Sequence, residues 1–101
     1  MEELIKKVEQ WFIDRDLHLL DGKGQLKKLT EEANELIDAH YLNNLNGEID
    51  AVGDITVVLI GYCMQRGLDF EHCLATAYNE IKHRRGKVVD GVFVKESGGY
   101  D

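Results

Sequence analysis

Asp50-Ala51-Val52-Gly53-Asp54-Ile55-Thr56-Val57-Val58-Leu59-Ile60-Gly61-Tyr62-Cys63-Met64 can be read as strand or as helix, and the choice decides the fold. Its β-branched residues suit a buried strand. Its length does not, because the apolar pattern runs on through Met64 and Gln65, well beyond the roughly 5–6 residues of an ordinary strand. We therefore read a helix from about Glu48 to Arg66, apolar almost all round and hence buried. Gly53 and Gly61 destabilise such a helix and are expected where another backbone comes close. Asp50 and Asp54 lie at i,i+4 and share a face. Asp54 thus enters the core at the head of the buried run.

The preceding acidic stretch is Leu29-Thr30-Glu31-Glu32-Ala33-Asn34-Glu35-Leu36. On a helix, at about 100° per residue, Leu26, Leu29, Ala33, Leu36 and Ile37 make one apolar stripe. Glu32 and Glu35 flank it together with Gln25 and Lys28, while Glu31 and Asp38 turn toward solvent. The edge of a core is a poor place for a carboxylate without a partner. Two like charges ~4 Å apart repel by about 4 kcal/mol at an effective dielectric of ~20. If Glu32, Glu35, Asp50 and Asp54 converge, they need protons or a cation. An all-oxygen set suits Mg²⁺, Mn²⁺ or Ca²⁺ rather than zinc. EExxE alone is common on solvated helix faces, and Asp50 also suits a helix N-terminus; the two acidic pieces together carry the signal.

The remaining elements follow from periodicity. Leu4, Ile5, Val8, Trp11 and Phe12 recur at helical spacing, predicting a first helix over about 2–16. Asp21-Gly22-Lys23-Gly24 is a turn, and a second helix runs from about Gly24 to Leu42. Asn43-Asn44-Leu45-Asn46-Gly47 ends it, since Asn and Gly tolerate the left-handed conformation. Asp69 is placed to cap a fourth helix carrying Phe70, Cys73, Leu74, Ala77, Tyr78 and Ile81. That helix runs into Lys82-His83-Arg84-Arg85-Gly86-Lys87, a reversal of charge that suits both the helix dipole and phosphate. Val88-Val89 and Val92-Phe93-Val94 around Asp90-Gly91 give a hairpin signal, and the tail from Glu96 to Asp101 reads as loose.

Composition narrows the class. The chain has 101 residues, 44% hydrophobic and 31% charged, with no proline. That is one globular domain, spanning 1–101, of helices and short loops. A domain this small often completes its core across a subunit interface. The net charge of −7 argues against nucleic-acid binding. The N-terminus lacks the apolar segment of a signal peptide, and the run from Ile55 is too short to span a bilayer; both point to the cytoplasm. Cys63 and Cys73 are expected to be reduced, buried thiols. His18, His40, His72 and His83 are scattered without metal-ligand spacing. There is no GxSxG, Walker A or GxGxxG motif. Ser97 is the sole serine, which leaves nucleophilic serine catalysis without support.

Glu31-Glu32-x-x-Glu35, the acidic pair ahead of a buried helix, Ala77-Tyr78-Asn79-Glu80-Ile81-Lys82 and Arg84-Arg85-Gly86-Lys87 together resemble the MazG-like nucleotide pyrophosphohydrolases, most nearly their short, single-domain phage and bacterial type. These belong to the all-α NTP pyrophosphatase superfamily, with dimeric dUTPases and phosphoribosyl-ATP pyrophosphatases as relatives. The likeness runs from about Trp11 to Lys95. It implies an all-α fold, a four-helix bundle completed by dimerisation or by a pair of dimers, with a short C-terminal hairpin or extended tail. It also implies Mg²⁺ (or Mn²⁺) on Glu32, Glu35 and Asp54. The family's second motif is ExxD; here Ala51 stands three residues before Asp54, and Asp50 is the candidate replacement on the same face.

The activity implied is Mg²⁺-dependent hydrolysis of nucleoside or deoxynucleoside triphosphates to monophosphate and pyrophosphate. Glu31 or Glu35 would orient or deprotonate the attacking water. Lys28, Lys82, Arg85 and Lys87 would offset charge on the leaving pyrophosphate. Asn79 and Gln25 are further candidate substrate contacts, and Trp11 is a candidate for stacking on the base. The competing expectation is a non-catalytic, metal-binding helical dimer with a structural or regulatory role.

Overall fold

Between Leu45 and Gln65 the chain is helical throughout, so length outweighs β-branching. The structure is a computed structural model and describes residues 1–96. It contains α1 (Glu2–Asp14), a 3-10 turn (Leu17–Leu19), α2 (Lys23–Tyr41), α3 (Leu45–Gln65), α4 (Phe70–Ile81), β1 (Gly86–Val89) and β2 (Val92–Lys95). Four helices and a C-terminal antiparallel hairpin are thus the observed fold. The expected tail lies, past Glu96, outside the described residues. Among the described residues no helix is long and apolar enough to cross a membrane.

The chain forms two compact units, Met1–Phe70 and Glu71–Asp101. In the first, α2 and α3 form an antiparallel pair, and local chemistry sets the corner. Asn43 adopts the left-handed conformation at φ 52° and stops α2. Asn44 then caps α3, its Oδ1 accepting from the Gly47 backbone N–H at 3.0 Å. A Cβ at Gly47 would lie 2.7 Å from Asn44 Nδ2, so glycine leaves room for that cap. The Asn-rich stretch therefore both ends α2 and starts α3, and α3 begins three residues earlier than the sequence suggests. At the far end of the pair, Gln25 Nε2 donates to the Val58 carbonyl at 3.0 Å.

α1 packs on α3 through Phe12, which is 3% exposed. A Cβ at Gly61 would collide with the edge of the Phe12 ring and lie 2.8 Å from Gln25 Nε2. The close approach at Gly61 is thus made by an aromatic side chain, not by a backbone, while Gly53 faces open space. α1 stops at Asp14, short of the expected 16, because Asp16 turns left-handed at φ 56°. The 3-10 turn that follows is held to α3 by Gln65 Nε2, which donates to the Leu17 carbonyl at 2.9 Å. Ile5, Phe12, Ala39, Ala51, Val58, Ile60 and Cys63 form the buried core.

The second unit holds most of α4 and the hairpin. Cys73 is exposed, contrary to the expectation of a buried thiol, because it sits on α4, whose residues after Phe70 are all exposed. In the hairpin, Asp90 and Gly91 both have positive φ (52° and 78°), the backbone that a two-residue turn needs to match strand twist. Val89 consequently pairs with Val92 and Gly86 with Lys95. One further bond, Glu96 N–H to the Arg85 carbonyl at 2.8 Å, extends the ladder.

Candidate metal centre

The face that α2 turns to α3 does not follow its largest apolar side chains. Leu26 and Ile37 are exposed, while Glu32 is buried at 5% exposure, the one buried charged side chain among the described residues. The register of the helical pair fixes this. With Gln25 opposite Val58, the carboxylates of Glu32 and Asp54 come together one to two turns further along. Glu35 joins them from the next turn of α2. Ligand oxygens of Glu32, Glu35 and Asp54 all lie within 4.8 Å of one another.

Three carboxylates this close repel, and their proton affinities respond. The Glu32 carboxyl is raised above its ordinary range, first by a side-chain hydrogen bond with Glu35, then by burial and by the Glu35 charge; Lys28 acts in the opposite direction. Asp54 is exposed, not in the core as its place at the head of the apolar run suggested, yet its carboxyl is also raised, by partial desolvation first, then by the charges of Glu32 and Asp50, again against Lys28. Lys28 Nζ lies 3.7 Å from Glu32 Oε1 and 3.6 Å from Glu31 Oε2. One lysine does not complete the set, because Glu32 Oε2 is buried without a hydrogen-bond partner. A buried, unpartnered carboxylate oxygen beside two more carboxylates is an all-oxygen donor set that fits a hard divalent cation.

The other predicted residues fall in different places. Glu31 is exposed and faces Lys28 rather than the three-carboxylate group. Asp50 stays outside that group, although its charge reaches Asp54; with Glu35 and Asp38 it lines a neighbouring groove of about 270 Å³. Ala51, where the ExxD pattern has Glu, is 2% exposed in the core, so that position offers no ligand. The Gln25 amide is engaged by the Val58 carbonyl. Trp11 is half-exposed, edge-on to Phe12 at 5.2 Å, with the Arg15 guanidinium 4.3 Å over its ring. It lines an apolar groove of about 300 Å³ with Leu4, Val8 and Val57.

In the second unit, Lys82 Nζ donates to Asn79 Oδ1 at 3.2 Å. Arg85 and Lys87 line a cavity of about 780 Å³. What the helical stripe concealed is the depth of Glu32 and its pairing with Lys28. The i,i+4 spacing of those two residues was the available signal.

Residues 2–80 match the phosphoribosyl-ATP pyrophosphohydrolase family, a span that includes all three converging carboxylates and ends before Lys82. No curated protein and no solved structure matches. With most of its length and its whole carboxylate centre inside the match, the chain belongs to the phosphoribosyl-ATP pyrophosphohydrolase family, a MazG-like family of the all-α NTP pyrophosphatase type.

Proposed function

We propose that this protein is a Mg²⁺-dependent pyrophosphohydrolase of nucleoside triphosphates, of the short, single-domain MazG-like kind. The observation that carries the reading is the convergence of Glu32, Glu35 and Asp54, with Glu32 Oε2 buried and not satisfied by any Lys, Arg or backbone donor. Those three residues would hold the cation, with Mn²⁺ as a substitute. When bound, it supplies Lewis acidity toward phosphate oxygens and lowers the pKa of water.

The chain's own residues account for the rest. Glu35, exposed at the edge of the group, accepts the proton of the attacking water; Glu31 is the second candidate for this role. The water oxygen bonds to the α-phosphorus, the bond from that phosphorus to the α–β bridging oxygen breaks, and pyrophosphate leaves. Lys28, more than half exposed, is able to turn from the carboxylates toward the leaving phosphates and offset their charge. Phosphoribosyl-ATP, the substrate in the family's name, contains the same anhydride and belongs in the same assay.

A homodimer, or a pair of dimers, is part of the proposal. Leu26, Ile37, Leu45, Ile49 and Val52 on α2 and α3 are each more than half exposed. So much apolar surface on a small domain suits a subunit interface.

The competing reading, a non-catalytic metal-binding dimer, is favoured by buried Ala51 in place of a fourth carboxylate. Pyrophosphate release with Mg²⁺, over canonical triphosphates and phosphoribosyl-ATP, separates the two. We expect release with at least one substrate, and loss of about 10²-fold or more in Glu35→Gln and Asp54→Asn variants that remain folded. A Mg²⁺-stabilised protein that cleaves none of them would establish the competitor.

A further inference from the structure

The cation that this chain itself brings to the three carboxylates is Lys28, one turn before Glu32 on α2. Its ammonium lies 3.7 Å from Glu32 Oε1 and 3.6 Å from Glu31 Oε2, close enough to pair but too far to be hydrogen-bonded. Its charge also reaches α3, where it holds down the proton affinity of Asp54 as it does that of Glu32. The contact is loose and one-sided. The Lys28 side chain is 56% exposed while that of Glu32 is 6% exposed, and Oε2 of the same carboxylate stays buried without a Lys, Arg or backbone donor. A hydrated point charge on a four-carbon stem is free to swing off such a site. A divalent cation on Oε2 would share one carboxylate with that ammonium. The two positive charges would then lie within a Debye length, about 8–10 Å, and repel.

We propose that Lys28 is the resident counter-cation of this centre and the control on its metal affinity: a divalent ion binds Glu32, Glu35 and Asp54 only in competition with the Lys28 ammonium. The inference deepens the proposed function and rests on its reading that those three residues hold the cation. Lys28 acts through the carboxylates and is a positioning residue. Its consequence is regulatory. Metal by itself fills the centre weakly, and a polyanion that draws Lys28 away from Glu32 tightens the metal. Loading of the centre is thereby tied to the arrival of a phosphate chain.

Titration of the protein with Mn²⁺, followed by the paramagnetic resonance of the free ion at mildly alkaline pH and without nucleotide, reads this competition with no turnover involved. Lys28→Gln is expected to bind Mn²⁺ about tenfold more tightly than wild type, from loss of like-charge repulsion. Lys28→Arg keeps the charge and should stay within about twofold of wild type. A damaged fold does not tighten a metal, so the gain in Lys28→Gln has no purely structural origin. Equal or weaker Mn²⁺ binding in Lys28→Gln overturns the inference while wild-type binding leaves the metal centre standing. Tightening in Lys28→Arg as large as in Lys28→Gln overturns it as well, since charge would not be the cause. Absence of Mn²⁺ binding in all three proteins removes this inference and the proposed function together.

Discussion

Glu32 is a carboxylate in a position that an apolar side chain would ordinarily fill, and its raised proton affinity has a consequence for stability. Both Glu32 and Asp54 bind protons more tightly in the folded chain than at their unperturbed values of 4.5 and 3.8. The folded state therefore carries more protons across the window that opens at those values and closes at the raised ones. Stability from these groups is fully present below the window and is lost as pH rises through it. Glu32→Gln mimics the protonated form. In EDTA its melting temperature should match wild type at low pH and exceed it increasingly as pH rises; a difference that does not change with pH would contradict the account. Added Mg²⁺ should reverse the order near neutrality, because the cation needs deprotonated ligands and stabilises only the state that binds it.

At the scale of elements, the α2–α3 pair positions the centre, and two residues hold its geometry. Gly61→Ala places a methyl group against the edge of the Phe12 ring, and we expect about 1–3 kcal/mol of destabilisation in urea titrations. Asn44→Ala removes the cap on α3 and should cost about 1 kcal/mol in the same assay. Helical length, the Asn43-Asn44 corner and the Asp90-Gly91 turn were legible in the sequence, because each is a local rule acting on nearby residues. The burial of Glu32 was not. The phase of α2 is set by the backbone it meets on α3, where Gln25 reaches Val58, and this overrides a stripe drawn through Leu26 and Ile37. The partner of Gly61 was hidden for the same reason, since Phe12 lies far away in sequence.

For the molecule as a whole, exposed apolar surface on α2 and α3 and the family assignment lead to one expectation about assembly. Sedimentation equilibrium should give at least twice the 11.5 kDa chain mass, and a monomer at micromolar concentration would remove the dimer from the proposal. The carboxylates themselves could be read from the sequence because Glu32 and Glu35 flank an apolar stripe and Asp54 heads an apolar run, although only Glu32 is buried in the structure and Glu35 and Asp54 are exposed. Asp50, equally acidic and on the same helix, stays outside the group because α3 directs only Asp54 at Glu32. The claim beneath all of this is that three carboxylates share one hard cation, and anomalous diffraction from Mn²⁺-soaked crystals tests it most directly. A manganese peak within coordinating reach of Glu32, Glu35 and Asp54 together is the predicted result; a map in which manganese binds elsewhere, with Glu32 Oε2 still without a ligand, would contradict it.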